Sequence, residues 1–278
     1  MQREIQQAII DQTLEMLVEE GTIYKLLSFY SLRNDPLLAD RRMKGNLLAN
    51  KEMKHAVKAA AILARLPYVK GLAISGSLSK NFADEYTDVD FFIVTAADRL
   101  WIARSFLQLL YKLAHMVGKG RWFCLNYYID EKGLAISERN IFTAMEIVTL
   151  VPMYGAETMG HFLSANGWVS NFFPLHKPAV DQLKETRPGI FRKSIECVLS
   201  TKLGDRIDVW LMKITKRRWQ KKMKEQQVNE KGIRIGMLVD RHFSKPDPAN
   251  FQHKILDQYF NKMSQLVQNK ERIIPLIN

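Results

Sequence analysis

Asp88 and Asp90 stand on either side of a single valine at the head of an apolar run, Phe91 to Val94. Side chains alternate across a strand, so residues two apart share a face. The spacing therefore predicts two carboxylates pointing the same way from the start of one strand. Held side by side they repel and cost stability unless a cation sits between them. Hard oxygen donors of this kind suit Mg²⁺ or Mn²⁺, with nucleotide phosphates completing the shell. Upstream, a second apolar run (Leu72, Ala73, Ile74) ends in Gly76-Ser77. Glycine permits close backbone approach, and amides at a helix start favour anions, so this turn is suited to phosphate. Lys80, three residues beyond Ser77, adds positive charge.

Gly76-Ser77 followed by Asp88-x-Asp90, each attached to an apolar run, resembles the nucleotidyltransferase superfamily typified by DNA polymerase beta and kanamycin nucleotidyltransferase. The resemblance spans roughly residues 60 to 130. It implies that Gly76, Ser77 and Lys80 hold the phosphates of an NTP and that Asp88 and Asp90 bind the catalytic metals. It also implies a third carboxylate on a neighbouring strand. That strand is expected in Arg121 to Ile129, where the third acid falls near Asn126. An asparagine can ligate a metal through its oxygen but cannot act as a general base. Asp130, directly after that run, and Glu146, in the helix-like run 140–150, are the other candidates for the third position.

The elements needed to position these residues read as an α/β (α+β) fold, a small mixed sheet with helices packed on one face. Helices are expected over 2–20, 24–30, 43–66 and 99–116, the third ending before Pro67. Strands are expected over 69–75, 89–95 and 122–129, with a further short one at 134–136. From Pro152 onward strand signals nearly vanish, and helices are expected near 155–166, 190–203, 205–230 and 249–269. Prolines 174, 178 and 188 punctuate a connecting segment. The chain accordingly divides into an α/β part with an N-terminal helical extension, 1–150, and a helical part, 151–278.

Composition narrows the classes. The chain has 278 residues, enough for a full core, and its 47% apolar and 25% charged content is ordinary for a globular protein. No apolar run is long enough for a bilayer span, and the N-terminus carries no signal core, so a cytoplasmic location is expected. Cys124 and Cys197 share no metal-ligand spacing, and His115, His161, His176, His242 and His253 show no pairing with cysteine or acid at metal spacing. The net charge of +12 concentrates in Lys213 to Lys224, where seven basic residues surround Trp219. Such a helix could grip nucleic-acid phosphates, bind acidic lipid headgroups or an anionic acceptor protein, or simply be a solvated charged face. Trp101 and Arg104 read as packing residues, and the aromatic segment 166–174 as a hydrophobic plug. The expected function is a Mg²⁺- or Mn²⁺-dependent transfer of an NMP from an NTP to a hydroxyl acceptor, be it small molecule, protein or RNA. The alternatives are a catalytically silent nucleotide-binding regulator, or an RNA-binding protein that uses residues 213–224.

Overall fold

A computed structural model describes residues 7–176, 183, 189–225, 236–247 and 251–273. Among them the order is α1 (Gln7–Glu19), β1 (Tyr24–Leu26), β2 (Phe29–Ser31), α2 (Pro36–Leu63), β3 (Val69–Ile74), β4 (Asp90–Thr95), α3 (Leu100–Met116) and β5 (Cys124–Asp130). Then follow α4 (Ile141–Val148), β6 (Val151–Tyr154), α5 (Ala156–Ala165), α6 (Ile190–Leu199), α7 (Lys202–Glu225), β7 (Gly236–Val239), β8 (Phe243–Asp247) and α8 (Phe251–Ile273). The fold is mixed α/β, as expected.

β6, β3, β4, β5, β8 and β7 form one six-stranded sheet in that order. β4 runs parallel to β5, and the other neighbours are antiparallel. β4 sits inside the sheet with helices on both faces, which is why Phe91 to Val94 is apolar without alternation. Its side chains do alternate between two cores. Phe91 and Ile93 join Leu72 and Ile74 beneath α2 and α3, where Leu63, Trp101 and Leu107 are buried. Phe92 and Val94 face the opposite way, against Ala144, Ile147, Met159 and Phe162 of α4 and α5. Helices on both faces, rather than one, follow from that two-sided burial.

α2 starts where its sequence can supply a cap. Asp35 Oδ1 accepts the Leu37 N–H at 3.0 Å, and Pro36 occupies the first turn. Its small buried stripe, Ala49, Ala56, Ala60 and Leu63, lets it lie close on the sheet. The segment 24–30, expected as a helix, is instead the hairpin β1–β2, turning at Leu27 with φ +57°. Its aromatic residues suit a pleated surface better than a helix. Residues 134–136 form no strand, because the Ile136 N–H is taken by the Asn166 side chain.

The expectation that strands end near Pro152 is corrected. β6 pairs with β3, and β7 and β8 extend the sheet beyond β5. All three are short, and β6 and β8 carry a proline, so their patterns are weak in isolation. The helices expected at 155–166, 190–203, 205–230 and 249–269 appear as α5, α6, α7 and α8, and residues 226–230 lie outside the described ones. No helix among the described residues is long and apolar enough to cross a membrane.

Candidate functional site

The β3–β4 pairing brings the two motifs together. Ser75 N–H donates to the Asp90 carbonyl at 2.9 Å, so the Gly76-Ser77 turn closes directly over the first residue of β4. Gly76 has φ +70°, and a Cβ there would strike the Asp90 carboxylate. Only glycine meets both conditions. The turn leads into a three-residue 3₁₀ segment, Leu78–Lys80, rather than an α-helix. The Ser79 hydroxyl and Lys80 Nζ both donate to the Gly76 carbonyl at 2.9 Å, which draws the lysine back over the turn.

Lys80 Nζ also donates to Glu146 Oε1 at 2.9 Å. Glu146 lies on α4, a helix started by Asn140, whose side chain accepts the Thr143 N–H at 2.9 Å. The side chain from α4 thus reaches the same corner of the sheet as Asp90. Burial, together with the nearby Asp88 and Glu146 charges, pushes the Asp90 carboxyl up to about 6, while the Cys124 thiol and Lys80 hold it down. Burial and the Asp90 charge push the Cys124 thiol up in turn. Asp90 and Glu146 share this corner with Lys80, and Asp88, itself faced by Arg121, adds its charge nearby, so the corner is short of positive charge.

Beside it lies a cavity of about 510 Å³. Ser75, Gly76, Ser77, Asp90, Asn126 and Glu146 contribute to its wall, and Phe92, Tyr127, Phe142 and Phe162 provide aromatic surface. Glu138, Lys245 and Gln252 also line it, with Lys245 Nζ donating to Gln252 Oε1 at 2.6 Å. Asn126 reaches this wall through a bulge. β4 and β5 are in register at Phe91↔Leu125 and again at Phe92↔Tyr127, leaving Asn126 as the extra residue. Leu125 and Tyr128 therefore serve the α3 core, while both Asn126 and Tyr127 line the cavity.

Of the residues singled out by motif, Gly76, Ser77, Asp90, Asn126 and Glu146 share this cavity, and Lys80 bonds to two of them. Asp88 lies just before β4 rather than in it, is exposed, and does not line the cavity. Val89 is buried in the α2–α3 core with Phe91 and Ile93, so Asp88 and Asp90 both lie away from that core, and the Asp88 charge acts on Asp90. Asp130 is placed elsewhere. It pairs with Thr95 at the far end of β5, six residues or roughly 20 Å from Cys124 at strand rise.

At that far end Asp130 is fully buried and meets His242 Nδ1 at 2.9 Å. Asp130, Asp98 and His242 bring their ligand atoms within 4.8 Å of one another, a group that could hold a metal ion. The expectation that His242 lies apart from any acid is thereby corrected, because 112 residues separate partners that β8 brings together. Two cations already serve this group: Lys132 donates to Asp98 at 2.5 Å, and Arg241 sits 3.5 Å from it. The Asp130 carboxylate also accepts the N–H groups of Asp98, Lys132 and Gly133. Arg104 lies on the α3 side of the sheet, its guanidinium over Trp101, Tyr128 and Trp219, and is a packing residue there. Trp168 and Phe173 pack on the α4–α5 core, as a plug would.

No family model, curated protein or solved structure matches this chain. The functional reading therefore rests on the geometry.

Proposed function

We propose that the cavity beside Asp90 binds a metal–nucleoside triphosphate and that the protein transfers an NMP from it to a hydroxyl acceptor. The observation that carries this reading is the convergence of Gly76, Ser77, Asp90, Asn126 and Glu146 on one cavity, with Lys80 bonded across it. The donor set fits Mg²⁺ or Mn²⁺: carboxylates from Asp90 and Glu146, an amide oxygen from Asn126, and a corner short of positive charge. Bound there, such an ion would neutralise phosphate charge and polarise the phosphorus. Asp90 and Glu146 would hold it, with Asp88 adding negative charge from the strand end.

Lys80 would exchange Glu146 for the phosphates, and Ser77 would donate its hydroxyl to them. Phe92, Tyr127, Phe142 and Phe162 offer faces against which a base or an apolar acceptor can pack. An acceptor oxygen would form its bond to the α-phosphorus as the bond to pyrophosphate breaks. Glu146 is the carboxylate available to take the hydroxyl proton, since Asn126 cannot. The acid that the resembled family places on a strand would here come from helix α4.

Binding of the four NTPs is measured by calorimetry with and without Mg²⁺, for wild type, Asp90→Ala and Glu146→Gln. The expected outcome is metal-dependent binding that Asp90→Ala abolishes. Glu146→Gln should keep nucleotide binding but lower transfer from labelled NTP by about a hundredfold or more, in the range for general-base loss. Binding without transfer by wild type would favour the nucleotide-binding regulator, with Asn126 in place of an acid as its cause. No metal-dependent binding at all would overturn the reading.

A further inference from the structure

The two faces of the sheet are covered by different sets of helices. The cavity and its carboxylates lie on the α4–α5 side. The opposite side is a layer made by α2, α3 and α7, all packed on one core. α3 contains no acidic residue. In α7 the acids before its last residue are Asp205, paired with Arg99, and the buried Asp208, paired with Arg241. In the sheet-covering half of α2 the one acid is Glu52, whose largely buried side chain meets Arg121 and His55. The exposed charge of this layer is therefore almost wholly positive: Lys51, Lys54 and Lys58 on α2, Lys112 on α3, and Arg206, Lys213 and Arg217 on α7.

Large apolar side chains stand exposed among these cations. Leu109, Leu113 and Met116 fall at i, i+4 and i+7 on α3, a single stripe, and are 55%, 53% and 81% exposed, with Val117 beside them. On α7, Arg206, Trp210, Lys213 and Arg217 form a second stripe, and Trp210 is 60% exposed. A solubilising charged face has no use for this aliphatic stripe. A single-stranded nucleic-acid platform would instead need repeated exposed aromatics, and Trp210 is the one exposed aromatic among the described residues of α3 and α7. Aliphatics plus a tryptophan set in a cationic field match the surface of an anionic bilayer, where apolar side chains enter the headgroup boundary and lysines meet the lipid charge.

We propose that the outer face of α2, α3 and α7 docks on an anionic membrane surface, with Leu113, Met116, Val117 and Trp210 entering the headgroup boundary. The cavity, on the other face of the sheet, then stays turned toward solvent. This inference stands independently of what the cavity binds.

The test is co-sedimentation of the full chain with vesicles of phosphatidylcholine alone and of equimolar phosphatidylcholine and phosphatidylserine. Binding is expected to the anionic vesicles and not to the neutral ones. Lys213→Glu/Arg217→Glu and Leu113→Ser/Met116→Ser should each weaken it by about tenfold or more, from lost charge and lost apolar contact respectively. All four side chains are exposed, so the variants should melt like wild type. Brominated lipid should quench tryptophan fluorescence in wild type and less so in Trp210→Phe. Failure of wild type to bind anionic vesicles, or equal binding to both vesicle types, overturns the proposal. So does an undiminished affinity in the Leu113→Ser/Met116→Ser variant. A single-stranded RNA that binds more tightly than the vesicles, with no loss in that variant, would mark the face as an RNA surface instead.

Discussion

At the scale of single residues, Lys80 holds the site together before any ligand arrives. Its ammonium bridges the Gly76 carbonyl and Glu146, and it is a cation that offsets the Asp90 and Glu146 charges, while Arg121 faces Asp88. The pair is about one-third exposed on each side, so its contribution to stability is small. Its contribution to binding should be larger, because phosphate is met by the same ammonium. Lys80→Met is expected to leave the melting temperature near that of wild type. It should weaken metal-dependent NTP binding by about tenfold or more, the worth of one charge-assisted hydrogen bond. At the same time Mg²⁺ alone should bind more tightly, since the competing cation is gone. Calorimetric titration of each ligand checks both directions, and a parallel loss of metal and nucleotide binding would contradict them.

At the scale of elements, the junction that matters most is between α7 and α3. Asp208 on α7 is fully buried, and its Oδ1 accepts the N–H groups of Trp101 and Ile102 at 2.9 Å each. A helix thus takes its N-terminal cap from a residue more than a hundred positions away, and the Asp208 charge lies where the helix dipole favours it. Arg241 Nη1 adds a bond to the second oxygen at 3.1 Å. Asp208→Ala should cost about 2–3 kcal/mol in denaturant unfolding, because two buried N–H groups and an arginine lose their acceptor. Burial outweighs those bonds electrostatically and pushes the Asp208 carboxyl up to about 6 from 3.8. The folded state therefore holds this proton more tightly than the unfolded one. Between those two values stability from this group is lost as pH rises, the reverse of an ordinary surface acid. Asp208→Asn keeps an acceptor without the charge. Its stability relative to wild type should rise across that pH window and level off above about 6, as measured by melting at a series of pH values.

At the scale of the whole molecule, the two halves of the chain share one sheet and one set of buried contacts. β6 covers the edge of β3, β8 pairs with β5, and Trp101 Nε1 donates to the Asp240 carbonyl at 3.2 Å. On α6, Glu196 accepts the Tyr68 N–H at 2.7 Å, and Arg192 donates to the Ala64 carbonyl at 2.9 Å. Division at residue 150 would strip β3 and β5 of one strand partner each and α3 of its cap. A fragment of residues 1–150 is therefore expected to lose cooperative unfolding and near-ultraviolet dichroism. A fragment that melts cooperatively would show that the α/β part stands alone.

Much of this was readable in the chain itself. Strong local signals held: the alanine-rich α2, the two apolar runs that became β3 and β4, and the amphipathic helices beyond residue 155. Glycine at 76 also declared itself, since a turn that must close on Asp90 tolerates no side chain. The residue types at the ends of those runs are legible locally, because periodicity and turn chemistry are properties of neighbours. Which candidates meet depends on how the strands and helices pack. Asn126 reaches the cavity through a bulge, and no local pattern announces an extra residue between two pairing registers. Glu146 arrives from a packed helix and Asp130 departs to the opposite strand end. His242 finds Asp130, and Asp208 finds α3, across more than a hundred residues. Those meetings depend on which strands pair and which faces bury, and that is a balance struck by the whole core rather than by any stretch of chain.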